Sequence, residues 1–282
     1  MRTAHRPTAA QRELKEQVEK ICARFDAAYW AKADETGDFP ESFVAAMAAG
    51  GWLGVAMPED VGGAGLGLTE ASILMQTVTE SGAGFTGASA FHINIFGPNP
   101  IVKFGTSDQR KRFLPPLIAG TDKCCFGVTE PDSGLDTASL KTKAEKVSGG
   151  YVVSGRKIWT TGAQRANKIM IVARTTPRER SKRPTDGLSL FYADFDRSKI
   201  QATPIPKMGR KAVESNVVFI DGLFIPDEDR IGAEGEGFAC LLHGLNPERV
   251  LFGAEAVGLG RAALRRAATY AQERVVFGRP IG

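Results

Sequence analysis

The chain has no apolar run long enough to cross a membrane, only three histidines and four cysteines, and almost no imbalance of charge. Each shortage excludes something. A spanning helix needs about 20 consecutive apolar residues, so no membrane segment is expected. His5, His92 and His243 stand far from one another in sequence and from any cysteine pair with ligand spacing, so no metal site is expected. Among Cys22, Cys124, Cys125 and Cys240, the one adjacent pair could bridge only through a strained vicinal disulfide. Free thiols and a reducing compartment follow. The 36 Lys and Arg against 32 Asp and Glu leave a formal charge of +4, spread along the chain. That is too mild for a nucleic-acid binder, and an anionic small molecule fits as well. Met1 to Ala10 carries Arg and His but no apolar core, which excludes a secretory signal and makes the cytoplasm the simplest location.

What is present is an ordinary globular composition, 43% hydrophobic and 24% charged over 282 residues, enough for two or three domains. Leu14, Val18, Ile21, Cys22 and Phe25 recur at three- and four-residue spacing, which predicts one amphipathic helix from Gln11 to Lys32. A second helix is predicted from Glu41 to Ala48, followed by a Gly-rich loop from Pro58 to Leu68. That loop lacks the Lys-Ser/Thr ending of a phosphate-binding loop and follows no strand, so it is read as irregular backbone. Thr69 is expected to cap a helix from Glu70 to Glu80. A further helix is expected around Ala88 to Phe96, with His92 as a packed or hydrogen-bonded core residue, and another from Ser107 to Ile118.

From Cys124 the pattern changes. Short apolar bursts at Tyr151-Val152-Val153, Lys168 to Ala173, Leu188 to Phe195, Val217 to Ile220 and Phe224-Ile225 are each bounded by Gly, Pro, Asp or Ser, and no helix intervenes. This favours an antiparallel barrel or sandwich over a doubly wound nucleotide fold. Thr176 to Asp186 is polar and basic, the composition of a solvated loop. After Gly237 helical periodicity returns for some 37 residues, to about Arg274. The expected class is therefore α+β, with a helical N-terminal domain at 1–122, a β middle domain at 123–233 and an incomplete helical domain at 234–282.

Two segments carry the most information. Phe126-Gly127-Val128-Thr129-Glu130-Pro131-Asp132-Ser133-Gly134-Leu135-Asp136 can form a loop rich in backbone N–H groups. Gly155-Arg156-Lys157-Ile158-Trp159-Thr160-Thr161 brings a Trp and two hydroxyls to the same end of a sheet across a polar hairpin. Such a surface suits a planar, phosphate-bearing cofactor. Both segments closely resemble the flavin-binding signature of the acyl-CoA dehydrogenases, and the resemblance runs from about Gln11 to the last residue. It implies FAD as cofactor, with contacts from Phe126, Val128, Thr129, Trp159, Thr160 and Thr161, the last near the reactive flavin N5. Arg274 and Phe277, in the segment Arg274-Val275-Val276-Phe277-Gly278-Arg279-Pro280-Ile281, match a stretch that reaches a partner subunit's FAD. A homodimer or homotetramer is implied.

The resemblance also implies an acyl-CoA substrate, electron-transfer flavoprotein as acceptor, and a reaction that removes a proton alpha to a thioester carbonyl and passes hydride to the flavin. Such a reaction needs a carboxylate base, partly desolvated so that its pKa approaches the working pH. Leu245-Asn246-Pro247-Glu248-Arg249 matches the isovaleryl and long-chain branches, which places the base at Glu248. Two alternatives stay open here, Glu248 or a glutamate of a segment downstream of Gly282, since the resemblance also implies a C-terminally truncated chain. Substrate-side positions carried over are Ser133, Leu135, Asn246 and Arg249. Leu135 stands where several relatives have Ser, and Asn246 where many have Asp, which blurs the substrate. A flavin oxidase or monooxygenase on the same fold, and a non-catalytic partner subunit, are the rival functions.

Overall fold

A computed structural model describes residues 6–282; His5 lies outside them. The helix α1 (Ala9–Cys22) begins at Thr8, whose hydroxyl accepts the Gln11 N–H at 3.2 Å while the Gln11 side chain accepts the Thr8 N–H at 3.0 Å. The single helix expected from Gln11 to Lys32 is two helices. The chain leaves helical geometry after Cys22 and restarts α2 (Ala27–Thr36) at Asp26, whose carboxylate accepts the Tyr29 N–H at 2.9 Å. Asp supplies an N-terminal cap that a helix interior cannot use, and the break lets Phe25 pack edge-on against Tyr29 and Phe43 at 5.0 and 5.2 Å.

After α3 (Glu41–Ala49) and the Gly-rich loop comes α4 (Leu68–Val78). It starts before Thr69, and the expected Thr69 cap is replaced by Glu70, whose carboxylate accepts the Gly67 N–H at 3.1 Å. The helix loosens into a five-residue π-turn at Thr79–Ala83 around Gly82 at φ 109°. Then follow α5 (Gly84–Ser89), α6 (His92–Phe96), α7 (Asn99–Phe104) and α8 (Ser107–Ile118). The expected helix over Ala88 to Phe96 is split, because Phe91 leaves helical geometry at φ −141° and is fully buried, 6.0 Å from Phe43.

One sheet contains β1 (Cys124–Gly127), β2 (Lys143–Val147), β3 (Gly150–Thr161), β4 (Lys168–Arg174), β5 (Leu188–Asp194), β6 (Ile200–Pro204), β7 (Ser215–Pro226) and β8 (Arg230–Ile231). Its order is β6-β7-β3-β2-β4-β5-β8, with β1 beside β4. Pairing is antiparallel except where β1 and the start of β2 run parallel to β4. The two bursts expected at Val217–Ile220 and Phe224–Ile225 form one strand. Between them Asp221 and Gly222 bulge opposite Ser154, whose hydroxyl accepts the Gly222 N–H at 3.0 Å. One sheet face buries Tyr151, Val153, Phe191 and Ile220; the other packs Leu190 and Tyr192 against the helices, with Tyr192 4.7 Å from Phe113.

The long helix α9 (Gly237–Glu273) spans 37 residues and closes the helical layer over α4 and the π-turn. Its buried positions Leu241, Gly244, Leu251, Glu255 and Gly258 recur along one seam. Beyond Gly258 none of its residues is buried. A short hairpin of β9 (Val275–Val276) and β10 (Arg279–Pro280) follows, turning at Phe277 and Gly278 with φ of 54° and 76°. Among the described residues no helix is long and apolar enough to cross a membrane, and no group of three metal-ligating side chains occurs. All four cysteines are free.

Candidate active site

The loop after β1 is tied to β3 by a buried ion pair. Lys157 faces inward with Tyr151 and Val153 and is 0% exposed. Its ammonium donates to Val128 O at 3.1 Å, Glu130 Oε1 at 3.0 Å and Val172 O at 2.8 Å, which satisfies all three of its protons. Glu130 also accepts the N–H groups of Lys141 and Thr142 at 2.7 and 2.9 Å. Burial alone would raise the Glu130 carboxyl, but Lys157 and these donors outweigh it and hold it below the ordinary value. Burial lowers the Lys157 ammonium to about 8, against the pull of Glu130. The pair is charged at neutral pH, because each partner's charge is fully hydrogen-bonded.

This staple fixes Phe126, Val128 and Thr129, all half-buried. The Ile158 N–H donates to Thr129 O at 2.9 Å, and the Phe126 ring lies 6.0 Å from Phe96, edge-on. Beyond Lys157 the β3–β7 register slips, so that Ile158 and Trp159 oppose Val217 alone. The bulge sets Trp159 at φ 61° with 57% of its surface exposed. A left-handed backbone at a bulky residue costs of order 1–3 kcal/mol and persists where the surroundings enforce it, commonly at ligand sites. Next to it Thr160 is fully buried, and its hydroxyl has no partner. Thr161 opens onto a cleft between helices and sheet, lined also by Ser89, Asn94, Arg165 and Val213.

Glu248 sits on α9, one residue after Pro247, which removes an N–H from the helix. It is half-buried. Burial raises its carboxyl pKa; the charges of His92 and Arg249 oppose the rise, and that of Glu255 adds to it. A carboxyl raised in this way is a stronger base, once ionised, than one in water.

The other positions singled out in the sequence divide. Ser133 is buried and its hydroxyl donates to Asp136 O at 2.5 Å, so it shapes the loop. Leu135 projects fully into solvent. Asn246 and Arg249 are exposed and bond to each other, with Arg249 Nη1 donating to Asn246 Oδ1 at 2.6 Å. Arg274 and Phe277 lie exposed at the far end of α9 and on the hairpin. His92 is the hydrogen-bonded core residue expected, with Nδ1 3.2 Å from Glu255 Oε1, but its partner was not foreseen; nor were the Lys157–Glu130 pair and Arg210, which donates to Ser89 Oγ at 2.7 Å from a loop at φ 54°. Inward alternation along β3 could have exposed the Lys157–Glu130 pair, because a lysine in register with Tyr151 and Val153 demands a partner.

Family models for the acyl-CoA dehydrogenase N-terminal, middle and C-terminal domains match residues 8–121, 125–223 and 235–282. The chain belongs to the acyl-CoA dehydrogenase family. It is 30% identical over 275 residues to the mitochondrial 2-methylacyl-CoA dehydrogenase of Solanum tuberosum, covering 96% of this chain and 66% of the relative. It is 32% identical over 275 residues to the mitochondrial isovaleryl-CoA dehydrogenase of Oryza sativa subsp. japonica, with the same two shares, 96% and 66%. The chain thus spans just under two thirds of these relatives. Among solved structures, the prolyl acyl carrier protein oxidase AnaB superposes with a TM-score of 0.90 at 26% identity, over 98% of this chain and 73% of that one. FAD is the cofactor that accompanies this family. The residues present fit a flavin: a rigid loop, an exposed indole on strained backbone and a buried hydroxyl lacking a partner lie side by side on β1 and β3.

Proposed function

We propose that the chain performs α,β-dehydrogenation of an acyl-CoA thioester, with Glu248 as the base. The observation that carries the proposal is the half-buried Glu248 carboxyl, raised by burial on the one long helix that lies over the helical layer. FAD, held by Phe126, Val128, Thr129, Trp159, Thr160 and Thr161, supplies the hydride acceptor. Glu248 removes the proton alpha to the thioester carbonyl. Its partial desolvation makes the carboxylate a stronger base than one in water, and the helix fixes its direction. Arg249 limits the rise. Asn246 and the backbone of the 133–135 turn are the positions we assign to the CoA chain, on the family resemblance. Electron-transfer flavoprotein is the acceptor proposed outside the site, and a homodimer or homotetramer its assembly, in which Arg274 and Phe277 reach a second copy's FAD. The names of the two plant relatives support a short branched acyl group as first substrate to try.

The test is anaerobic mixing of the FAD-loaded protein with isovaleryl-CoA and with straight-chain acyl-CoAs. Bleaching of the yellow absorbance is expected, and Glu248→Gln is expected to stay yellow while losing at least 100-fold in bleaching rate, the scale of a lost general base. Undiminished bleaching in the variant would remove Glu248 as base. A second function, a flavin oxidase, is favoured by the likeness to AnaB; colour that returns at once in air would select it.

A further inference from the structure

Glu255 follows Glu248 by seven residues on α9, close to two full turns, so the two carboxylates share a helix face about 10.5 Å apart along the axis. Unlike Glu248, Glu255 is 0% exposed. Its Oε1 meets His92 Nδ1 of α6 at 3.2 Å and its Oε2 has no partner. A buried carboxylate with one unsatisfied oxygen is costly to keep. Phe252, one turn from Glu248, stacks on Phe85 at 5.6 Å and approaches His92 at 5.8 Å, which screens the group from water. Charged groups bear on Glu248 and Glu255 from three elements: His92 from α6, Arg249 from their own helix, and Arg210 from the loop between β6 and β7, itself anchored on Ser89 of α5; on the π-turn packed against α9, Glu80 is paired with Arg261 and Arg265.

We propose that Glu255, held by His92, is a positioning residue that sets the pH range in which Glu248 works as a base. This rests on the assignment of Glu248 proposed above. The buried anion disfavours a second negative charge on the same helix face, so Glu248 keeps its proton to higher pH; His92 acts in the opposite sense. At the effective dielectric of partly buried sites, unit charges about 10 Å apart move a pKa by roughly one pH unit. The pair thereby adjusts the base without touching substrate.

The experiment is an infrared titration of the whole protein without substrate, following the protonated-carboxyl band that Glu248→Gln abolishes. In Glu255→Gln its midpoint is expected to fall by about one pH unit, and in His92→Gln to rise. The acid limb of the bleaching rate against pH should move with it in each variant. A Glu248 midpoint unchanged in Glu255→Gln overturns the proposal; should that variant fail to fold, an unchanged or lowered midpoint in His92→Gln does so. Failure of the base assignment shows separately, as undiminished bleaching in Glu248→Gln.

Discussion

Lys157 and Glu130 decide whether the loop after β1 keeps its shape. Glu130→Gln leaves a buried ammonium with one charged partner fewer, and removal of one member of a buried pair costs about 3–5 kcal/mol. Guanidinium denaturation is expected to show that loss, with weaker FAD retention, and the double variant Glu130→Gln/Lys157→Met should recover much of the stability. Because the folded Glu130 pKa is depressed, its contribution is complete above the unfolded carboxylate value of about 4.3 and is lost as pH falls through the lower folded value. The wild-type protein should therefore lose more stability on acidification through that range than the double variant does. For Glu248 the sign is opposite: its raised pKa predicts a bleaching rate that climbs with pH as the carboxylate forms, with a midpoint above that of an ordinary glutamate. At this scale the sequence showed the motif around Trp159 but not its bulge, because register depends on β7, some 55 residues away. Glu248 was visible only through resemblance. A Glu beside an Arg on a helix is usually a solvated pair, and the seam that half-buries it emerges only when α4 and α6 are in place.

The helix α9 carries both Glu248 and Glu255 and packs on α4 and the π-turn. Its length was legible from periodicity alone, and so was the change of character at Cys124. The breaks at Asp26 and Phe91 were not, since each is made by packing or capping that outweighs a continuous apolar pattern. Gly258 shows how closely α9 approaches its neighbour: a Cβ there would stand 2.1 Å from Thr79 Oγ1 and 2.3 Å from Gln76 O. Gly258→Ala is expected to destabilise the protein by about 1–3 kcal/mol as the helices are pushed apart. Gly260→Ala, with nothing within 4 Å, should instead stabilise by about 0.5–1 kcal/mol through helix propensity. Equal midpoints for the two variants in a denaturant series would contradict this packing.

For the whole molecule, the sheet and the helices over it leave the distal half of α9 and the final hairpin without cover, with Leu264 71%, Tyr270 57% and Phe277 99% exposed. The family assignment and the proposed contact of Arg274 and Phe277 with a second copy predict an assembly larger than one chain. Phe277→Asp should lower its mass in sedimentation and release FAD together, whereas Leu135→Ser, at another fully exposed position, should do neither. The central claim is that these residues form a flavin site serving Glu248, and it is tested most directly by reconstituting the 282-residue chain with FAD and measuring flavin per chain after gel filtration. Close to one flavin per chain is expected, bleached on anaerobic addition of an acyl-CoA. A folded protein that emerges colourless would contradict it.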